Sequence, residues 1–321
     1  MQDHQGNPST NLGDLIIYES ISKYLEELFP DKEVIRISTH TFLEKRHFDI
    51  LKENNLKFFG GTNALSSNIR QYHQWKLSRD RFFFLNPGIR EVILFGVGWW
   101  QYQEKPTWAT KLFYKNVLSG VHQHSVRDQY TKEKVLGMNI RNVLNTTCPT
   151  TWTLDGRTVN RKMSNVKDCL FMLTDYSSNA ERDNELLKII LEYYSGTLYF
   201  FPQGALDIDY MNSLELFKAN KGRIKILERT IEAFNDCISR KDINFIGTRL
   251  HGGIKCLQNS IDSIIIAIDN RAMEISRDIH LPVVDRNDYS KLRQWLNGEK
   301  VFANINLPMG AINEWKEQFR K

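Results

Sequence analysis

The chain alternates short apolar segments, typical of buried strands, with longer amphipathic segments, typical of helices. In its first half the pattern predicts strands at 33–37, 56–59, 92–95, 121–126 and 141–144, and helices at 12–28, 42–53, 108–118 and 129–136. Alternation of this kind is typical of parallel strands joined by crossover helices. The sequence therefore predicts an α/β protein rather than an all-helical or all-strand one.

The same alternation restarts after a turn-rich segment at 149–156. The second half is predicted to contain strands at 169–174, 197–201, 243–246 and 263–268, helices at 182–194, 227–238 and 253–258, and a last helix at 311–321. A chain of 321 residues is long enough for two cores. We therefore expect two α/β domains, at 1–155 and 156–321, with the last helix in the second.

Composition excludes several classes of function. The longest apolar stretches are too short to span a bilayer, and the polar start lacks a signal peptide, which favours a cytoplasmic protein without a membrane span. The net charge of +5 comes from dispersed basic residues, which argues against a nucleic-acid partner but leaves peripheral contact with an anionic membrane surface open. The four cysteines form no Cys-x-x-Cys pair, and no histidine and carboxylate cluster suggests a metal, so no metal and no cofactor are expected.

One string, Gly247-Thr248-Arg249-Leu250-His251-Gly252-Gly253, follows an apolar, strand-like run. Backbone N–H groups at such a strand-to-helix turn favour an anion. Arg249 and His251 are expected on the same side of a strand, and Gly252 would leave the helix N-terminus open. The alternative is a histidine with a purely structural role.

A second candidate site is Asn11-Leu12-Gly13-Asp14, where a helix is predicted to begin. Gly13 would let the backbone approach a ligand, and Asp14 could move a proton. The alternative is that Asn11 and Asp14 only cap the helix.

Two further candidates follow predicted strands. Gly61 and Asn63 belong to Gly60-Gly61-Thr62-Asn63, and Arg127 belongs to Ser125-Val126-Arg127-Asp128, where its planar fork could bind a carboxylate or a phosphate. Pairing of Arg127 with carboxylates of the adjacent domain is equally compatible with the sequence. There is neither a P-loop nor a dinucleotide fingerprint, which argues against NAD and P-loop ATP binding.

Aromatic residues are concentrated at 99–102, which includes Trp99 and Trp100, and Trp108 follows shortly after. Flat aromatic rings can stack on sugar rings. They can equally well pack under a long loop.

Taken in order, these motifs resemble the polysaccharide pyruvyl transferase family, from about Asn11 to Arg271. The resemblance rests on Asn11-Leu12-Gly13-Asp14, Gly60-Gly61, Gly96-Val97-Gly98, Ser125-Val126-Arg127-Asp128, Cys148-Pro149, Gly247-Thr248-Arg249-Leu250-His251-Gly252 and Ile264-Ile265-Ile266-Ala267-Ile268-Asp269-Asn270-Arg271. Two features depart from the family: residues 1–10 are polar where an apolar strand is usual, and Thr62 replaces the last residue of a glycine run.

The resemblance implies two Rossmann-like domains in a GT-B-like fold with parallel sheets and an active site in the interdomain cleft. It also implies phosphoenolpyruvate as a substrate rather than a cofactor, bound by the second domain, and a glycan or lipid-linked saccharide acceptor on the first, as in exopolysaccharide or capsule synthesis. The family's phosphoenolpyruvate-binding residues would fall on Arg127, Arg249, Leu250 and His251.

The expected reaction is the formation of a pyruvate ketal on a sugar hydroxyl pair, with release of phosphate. It requires cations, a proton donor and a base. We assign Arg249, His251 and Asp14 to catalysis, and list as substrate-binding residues Arg127, Leu250, Gly252, Asn11, Gly13, Gly61, Asn63, Trp99 and Trp100. A nucleotide-sugar glycosyltransferase and an inactive glycan-binding protein are the alternatives.

Overall fold

The computed structural model describes residues 11–39, 42–71, 75, 87–159 and 166–320. Residues 1–10, where the sequence predicts no strand, lie outside this part. The chain forms two compact units. Among the described residues, unit 1 contains Ile17–Trp152 and 307–320, and unit 2 contains 11–16 and Thr153–Asn306.

Unit 1 contains pairs of short parallel strands and several helices. Its strands are β1 (Lys57–Gly60), β2 (Val92–Phe95), β3 (His124–Val126) and β4 (Val143–Asn145). The accompanying helices are α1 (Gly13–Leu28), α2 (Lys45–Glu53), α3 (Trp108–Val117) and α4 (Gln129–Leu136). The first turn of α1 belongs to unit 2. Strand β1 pairs with β2 and β3 with β4, both parallel. The Gly96 N–H donates to the Ser125 carbonyl oxygen at 3.0 Å and so joins the two pairs.

The strand predicted at 33–37 is wrong. These residues adopt no regular secondary structure, and Ile35 is exposed. The preference of apolar residues for strands depends on their packing on a buried surface, and no residue of 33–37 is fully buried.

Unit 2 contains the longer sheet. Its elements are β5 (Asp168–Met172), α5 (Ala180–Tyr193), β6 (Leu198–Phe200), α6 (Asp207–Ser213), α7 (Glu215–Ala219), β7 (Ile224–Ile226), α8 (Ile231–Ser239), β8 (Ile243–Gly247), α9 (Leu250–Gln258), β9 (Ser263–Ala267), α10 (Asn270–Ile279), β10 (Val283–Asp285) and α11 (Ser290–Leu296). The six strands are parallel in the order β7-β6-β5-β8-β9-β10. This is the strand order of a Rossmann fold, so the predicted α/β class with parallel strands is confirmed.

The central strands of unit 2 are buried on both faces, as the continuous apolar runs predicted. Every residue of β8 and β9 is buried, as expected for a parallel sheet covered by helices. The order of the strands reverses between β5 and β8. Ligands of open α/β sheets bind outside the carboxyl ends of the strands at such a reversal.

The last helix, α12 (Met309–Glu317), belongs to unit 1, whereas the sequence placed it with the second domain. Its buried residues are Ile312 and Trp315. The Trp315 ring stacks on Phe95 of β2, with ring centroids 4.4 Å apart, and its indole N–H donates to the Gln123 carbonyl oxygen at 2.9 Å. An amphipathic pattern shows that a helix has a buried face, but not which core covers it. No helix among the described residues is long and apolar enough to cross a membrane.

Candidate active site

Arg249 is at the reversal point of the unit 2 sheet, directly before α9. Strand β8 ends at Gly247, and Arg249 is the N-cap residue of α9, with His251 in the first helical turn. The expectation that Arg249 and His251 share one side of a strand by period two is therefore wrong, because the helix starts earlier than predicted. Both residues nevertheless lie where the carboxyl end of β8 meets a helix N-terminus, a position that favours anions.

The Arg249 guanidinium is held by two carboxylates. Its Nη2 donates to Asp175 Oδ1 at 2.8 Å and also to Asp207 Oδ1. The Arg249 side chain is 3% exposed, and its Nε has no hydrogen-bond partner among the described residues. One edge of the guanidinium is therefore fixed. A buried donor has no acceptor within the described part of the chain, which costs free energy unless a ligand supplies one.

The two carboxylates differ in their environments. Burial raises the pKa of Asp207, although the charge of Arg249 opposes this rise. Burial also acts to raise the pKa of Asp175, but hydrogen bonding with Asp207 and the charge of Arg249 outweigh it and lower that pKa. Of the pair, Asp175 is therefore the better carrier of the negative charge.

Sequence reasoning missed both aspartates. Asp175 follows β5, and Asp207 opens α6 in the segment after β6. The available signal was that each carboxylate follows a predicted strand of a parallel sheet, whose carboxyl ends lie along one edge. What the sequence could not show is that both would turn towards the same arginine.

Tyr176 lies next to this cluster and contacts two arginines. The Arg249 Cζ atom is 5.1 Å from the centre of the Tyr176 ring, and the Arg271 Cζ atom is 6.0 Å from it. Arg271, in the first turn of α10, donates from Nη2 to the Tyr176 hydroxyl at 2.6 Å and from Nε to Asp269 Oδ2 at 2.8 Å. The carboxyl ends of β5, β8 and β9 thus bring two guanidinium groups to one aromatic ring.

The rest of the Arg249 motif is buried in the first turn of α9. Leu250, His251 and Gly252 are all buried. A Cβ atom at Gly252 would lie 2.5 Å from Met172 Sδ and 3.1 Å from Gln203 Oε1. Gly252 thus allows close packing of α9 on the sheet, a role that the prediction of an open helix end did not include.

The Asn11-Leu12-Gly13-Asp14 motif belongs to unit 2 rather than to the first domain, where the sequence had placed it. The reason is a long-range contact: the Leu12 N–H donates to the Gln203 carbonyl oxygen at 3.0 Å, and Asn11 forms an antiparallel bridge with Gly204. Gly204 in turn lies against Arg249, because a Cβ atom there would overlap Arg249 Nη2. The motif therefore lies beside the arginine cluster.

Asn11 has the capping role that the sequence offered as the alternative. Its Oδ1 accepts from the Gly13 N–H at 3.0 Å and from Gln203 Nε2 at 3.0 Å. A Cβ atom at Gly13 would lie 2.6 Å from Gln203 Nε2, so a glycine is needed there for the close approach. Asp14, in the first turn of α1, is partly buried, and its Oδ1 is 3.5 Å from Asn11 Nδ2.

Arg127 and Asn63 come together in unit 1. Arg127 Nη2 donates to Asn63 Oδ1, and its Nε is 3.7 Å from Asp128 Oδ2. Both members of this ion pair are buried, and the carboxylate belongs to the same unit rather than to the adjacent domain. The expected binding of a ligand by Arg127 stays a prediction.

The Gly61-Thr62 turn positions Asn63 in unit 1. Gly61 has φ of 60° and Thr62 has φ of 68°, both in the left-handed region that favours glycine. A Cβ atom at Gly61 would also overlap the Ile17 side chain. Thr62 therefore adopts a conformation suited to the glycine that it replaces in the family pattern.

The aromatic prediction is wrong for Trp99. Its side chain is 0% exposed, and its indole N–H donates to Gln103 Oε1 at 2.9 Å. It packs in the unit 1 core with Tyr114 and other apolar residues, so no sugar ring can stack on it. Trp100 is partly exposed and Trp108 is exposed. Stacking of a sugar on Trp100 stays a prediction.

Comparison with known proteins gives a family match. No curated protein is significantly similar to the chain. A solved structure, the UDP-GlcNAc 2-epimerase of Methanocaldococcus jannaschii in complex with UDP-GlcNAc and UDP, is similar with 15% sequence identity and a TM-score of 0.46, covering 72% of this chain and 68% of the epimerase chain. The family model for polysaccharide pyruvyl transferases matches residues 11–270. That match begins at the Asn11 motif, includes the Arg249 cluster and ends at the start of α10, and the chain belongs to the polysaccharide pyruvyl transferase family.

Proposed function

We propose that this enzyme transfers the pyruvyl group of phosphoenolpyruvate to two hydroxyl groups of one sugar, forming a pyruvate ketal and releasing phosphate. The observation that carries the proposal is the Arg249 guanidinium beside the N-terminus of α9, whose buried Nε has no partner in the part of the chain that the structure describes. Family membership indicates pyruvyl transfer and a glycan acceptor. A buried guanidinium donor suits the phosphate or the carboxylate of this donor substrate.

The proposed chemistry needs a proton donor and a base. Protonation of the methylene carbon makes the neighbouring carbon electrophilic, and a first sugar hydroxyl adds to it while losing its proton. Departure of phosphate regenerates an electrophilic carbon, to which the second hydroxyl adds while losing its proton to the base. We assign His251 to proton transfer or phosphate binding and Asp14 to acid or base catalysis, and Arg249 stabilises the charge on the departing phosphate.

The acceptor side of the proposal rests on unit 1. The partly exposed Trp100 contributes to acceptor binding, and Arg127, which donates to Asn63, binds an anionic group of a substrate. A lipid-linked saccharide in the cytoplasm is the acceptor that we propose, as in the synthesis of an exopolysaccharide or a capsule. It would bring the enzyme into peripheral contact with an anionic membrane surface, which the net charge of +5 favours.

The test is release of inorganic phosphate from phosphoenolpyruvate that depends on an added glycan. We expect release by the unaltered enzyme and loss of at least about a hundredfold in rate for His251→Asn, since a proton-transfer group contributes that much or more. His280→Asn is the matched control, because His280 is exposed. Turnover of a nucleotide sugar without phosphoenolpyruvate would instead favour the glycosyltransferase alternative, and glycan binding unaffected by Arg249→Ala and His251→Ala, with no turnover, would favour the binding protein.

A further inference from the structure

We infer that the two aspartates at Arg249 have different roles: Asp207 permanently positions the guanidinium, whereas Asp175 occupies the place of an anionic ligand group and gives way when the ligand binds. This inference rests on the proposed function, because it assumes that an anionic donor substrate binds at Arg249. Asp207 would be a positioning residue, and Asp175 would compete with the ligand for Arg249. The family match identifies neither role.

Asp207 anchors the Arg249 guanidinium, because it is itself buried and held by several hydrogen bonds. Its side chain is 0% exposed. Its Oδ2 accepts from the Gly204 N–H at 2.6 Å, and its Oδ1 accepts from the Asp175 N–H at 3.1 Å as well as from Arg249 Nη2. Donors from the segments after β5, β6 and β8 thus converge on one carboxylate, and moving it would leave buried N–H groups without acceptors.

Asp175 is held less firmly. Its side chain is 22% exposed, and it stands at the start of a short 3-10 turn, Asp175–Ser177. Its carboxylate accepts from Arg249 Nη2 at 2.8 Å and interacts with the Tyr176 N–H and with Asp207. Rotation of this side chain towards solvent would exchange those contacts for water, and a bound anion would take over the pairing with Arg249.

The guanidinium has donors that the present arrangement does not use. Both carboxylates share the single Nη2 atom, and Nε has no partner among the described residues. A carboxylate or a phosphate binds arginine best in a fork geometry that uses two nitrogens at once. A ligand that takes Nη2 and Nε together would therefore replace the single contact of Asp175.

Charge favours the same division of roles. Asp175 neutralises the charge of Arg249, and any charge on Asp207 makes the cluster of the three residues net negative, so the cluster does not attract an anion while Asp175 is in place. Withdrawal of Asp175 into solvent would restore electrostatic attraction at the guanidinium. Asp207 would remain hydrogen-bonded to Arg249 Nη2 and would keep the guanidinium in its position when the ligand binds.

The experiment measures binding without turnover. Dissociation constants of phosphoenolpyruvate, inorganic phosphate and UDP are determined by calorimetry, without acceptor, for the unaltered protein and for Asp175→Asn, Asp207→Asn and Asp209→Asn. Asp209→Asn is the matched control, because it removes the same charge from an exposed position on the same helix as Asp207.

For any of the three anions that the unaltered protein binds, we expect Asp175→Asn to tighten binding about tenfold, equivalent to about 1.4 kcal/mol. We expect Asp207→Asn to weaken it about tenfold and Asp209→Asn to leave it unchanged. Crystals grown with the bound anion should show the Asp175 carboxylate beyond hydrogen-bonding distance of Arg249, with the Asp207 contact retained.

Unchanged or weaker binding by Asp175→Asn would overturn the competitor role, and unchanged binding by a folded Asp207→Asn protein would overturn the anchor role. If Asp207→Asn does not fold, the structure of the anion complex decides whether Asp207 keeps its contact. Failure of the unaltered protein to bind any of the three anions would overturn the inference as a whole. The proposed function fails separately, if phosphoenolpyruvate binds but no phosphate is released when glycan is added.

Discussion

Gln203 donates a hydrogen bond from Nε2 to Asn11 Oδ1 at 3.0 Å, across 192 positions of the sequence. It joins the start of α1 to the segment that follows β6. The neighbouring Gly204 contacts Arg249, so the first described residues of the chain support the arginine cluster of unit 2.

Asn11→Ala should lower both stability and ligand binding. It removes the acceptor of the Gly13 N–H and of Gln203 Nε2, and we expect a loss of about 1 to 2 kcal/mol in the free energy of unfolding. Urea denaturation measures the loss, and calorimetry measures weaker binding of phosphoenolpyruvate. Asn11→Asp keeps an acceptor oxygen and is the control. Equal effects of the two variants would contradict a hydrogen-bonding role.

Gly204→Ala should displace the Arg249 side chain. The added methyl group would overlap Arg249 Nη2 and lie 3.0 Å from one carboxylate oxygen of each aspartate. We expect loss of phosphoenolpyruvate binding by at least about tenfold, equivalent to about 1.4 kcal/mol, since a guanidinium moved from its site cannot form a fork contact. Gly222→Ala, where an added methyl group has open space, should bind normally. Normal binding by both variants would show that the guanidinium position does not matter.

Thr62→Gly should stabilise the protein. Thr62 is β-branched and has φ of 68°, a conformation that costs an ordinary residue roughly 1 to 2 kcal/mol but glycine very little. Part of that gain is lost to the greater freedom of glycine in the unfolded chain, so we expect about 1 kcal/mol in the free energy of unfolding. Urea denaturation measures it. Thr62→Ala retains a Cβ atom and should gain less; a destabilised glycine variant would mean that contacts of the threonine side chain outweigh its backbone strain.

His124 should make stability depend on pH. Burial lowers the pKa of His124 to about 4, and the neutral ring accepts from the Leu94 N–H through Nδ1 at 3.2 Å. Because the unfolded chain binds a proton below pH about 6.5 and the folded one does not, stability is complete above that pH and falls as the pH drops towards 4.

The fall amounts to about 3 kcal/mol over this range, from a shift of about 2.5 pKa units. Urea denaturation between pH 7 and pH 4.5, compared between the unaltered protein and His124→Gln, measures it. We expect a shallower pH dependence in the variant. Parallel curves for the two proteins would assign the acid sensitivity to other groups.

The sequence predicted the bounds of two fully buried strands closely. Strands β2 and β8 coincide closely with apolar runs, because a strand covered on both faces must be apolar throughout. Strand β7 was missed because it lies at one edge of the sheet, where two of its three residues are exposed and Lys225 interrupts the apolar pattern.

Within the candidate site, the sequence predicted roles for Arg249 and His251 because a strand, an arginine and glycines at a helix start form a local pattern. It missed Asp175 and Asp207, and it misplaced Asn11, since their positions depend on contacts between distant segments. It also treated Trp99 as available to a sugar. A cluster of aromatic residues in the sequence does not show whether each ring is buried or exposed. Only the packing in the structure distinguishes the two, and it buries Trp99.

The most direct test of pyruvyl transfer follows the label from phosphoenolpyruvate that carries ¹³C at the carbon bearing the phosphate. We predict a glycan-attached ¹³C ketal signal in the NMR spectrum of the product, formed with the unaltered enzyme and with His280→Asn but lost with His251→Asn. Pyruvyl transfer would be contradicted if the label stayed in phosphoenolpyruvate or free pyruvate and a panel of candidate glycans remained unmodified. It would also be contradicted if those glycans received a sugar from a nucleotide sugar instead.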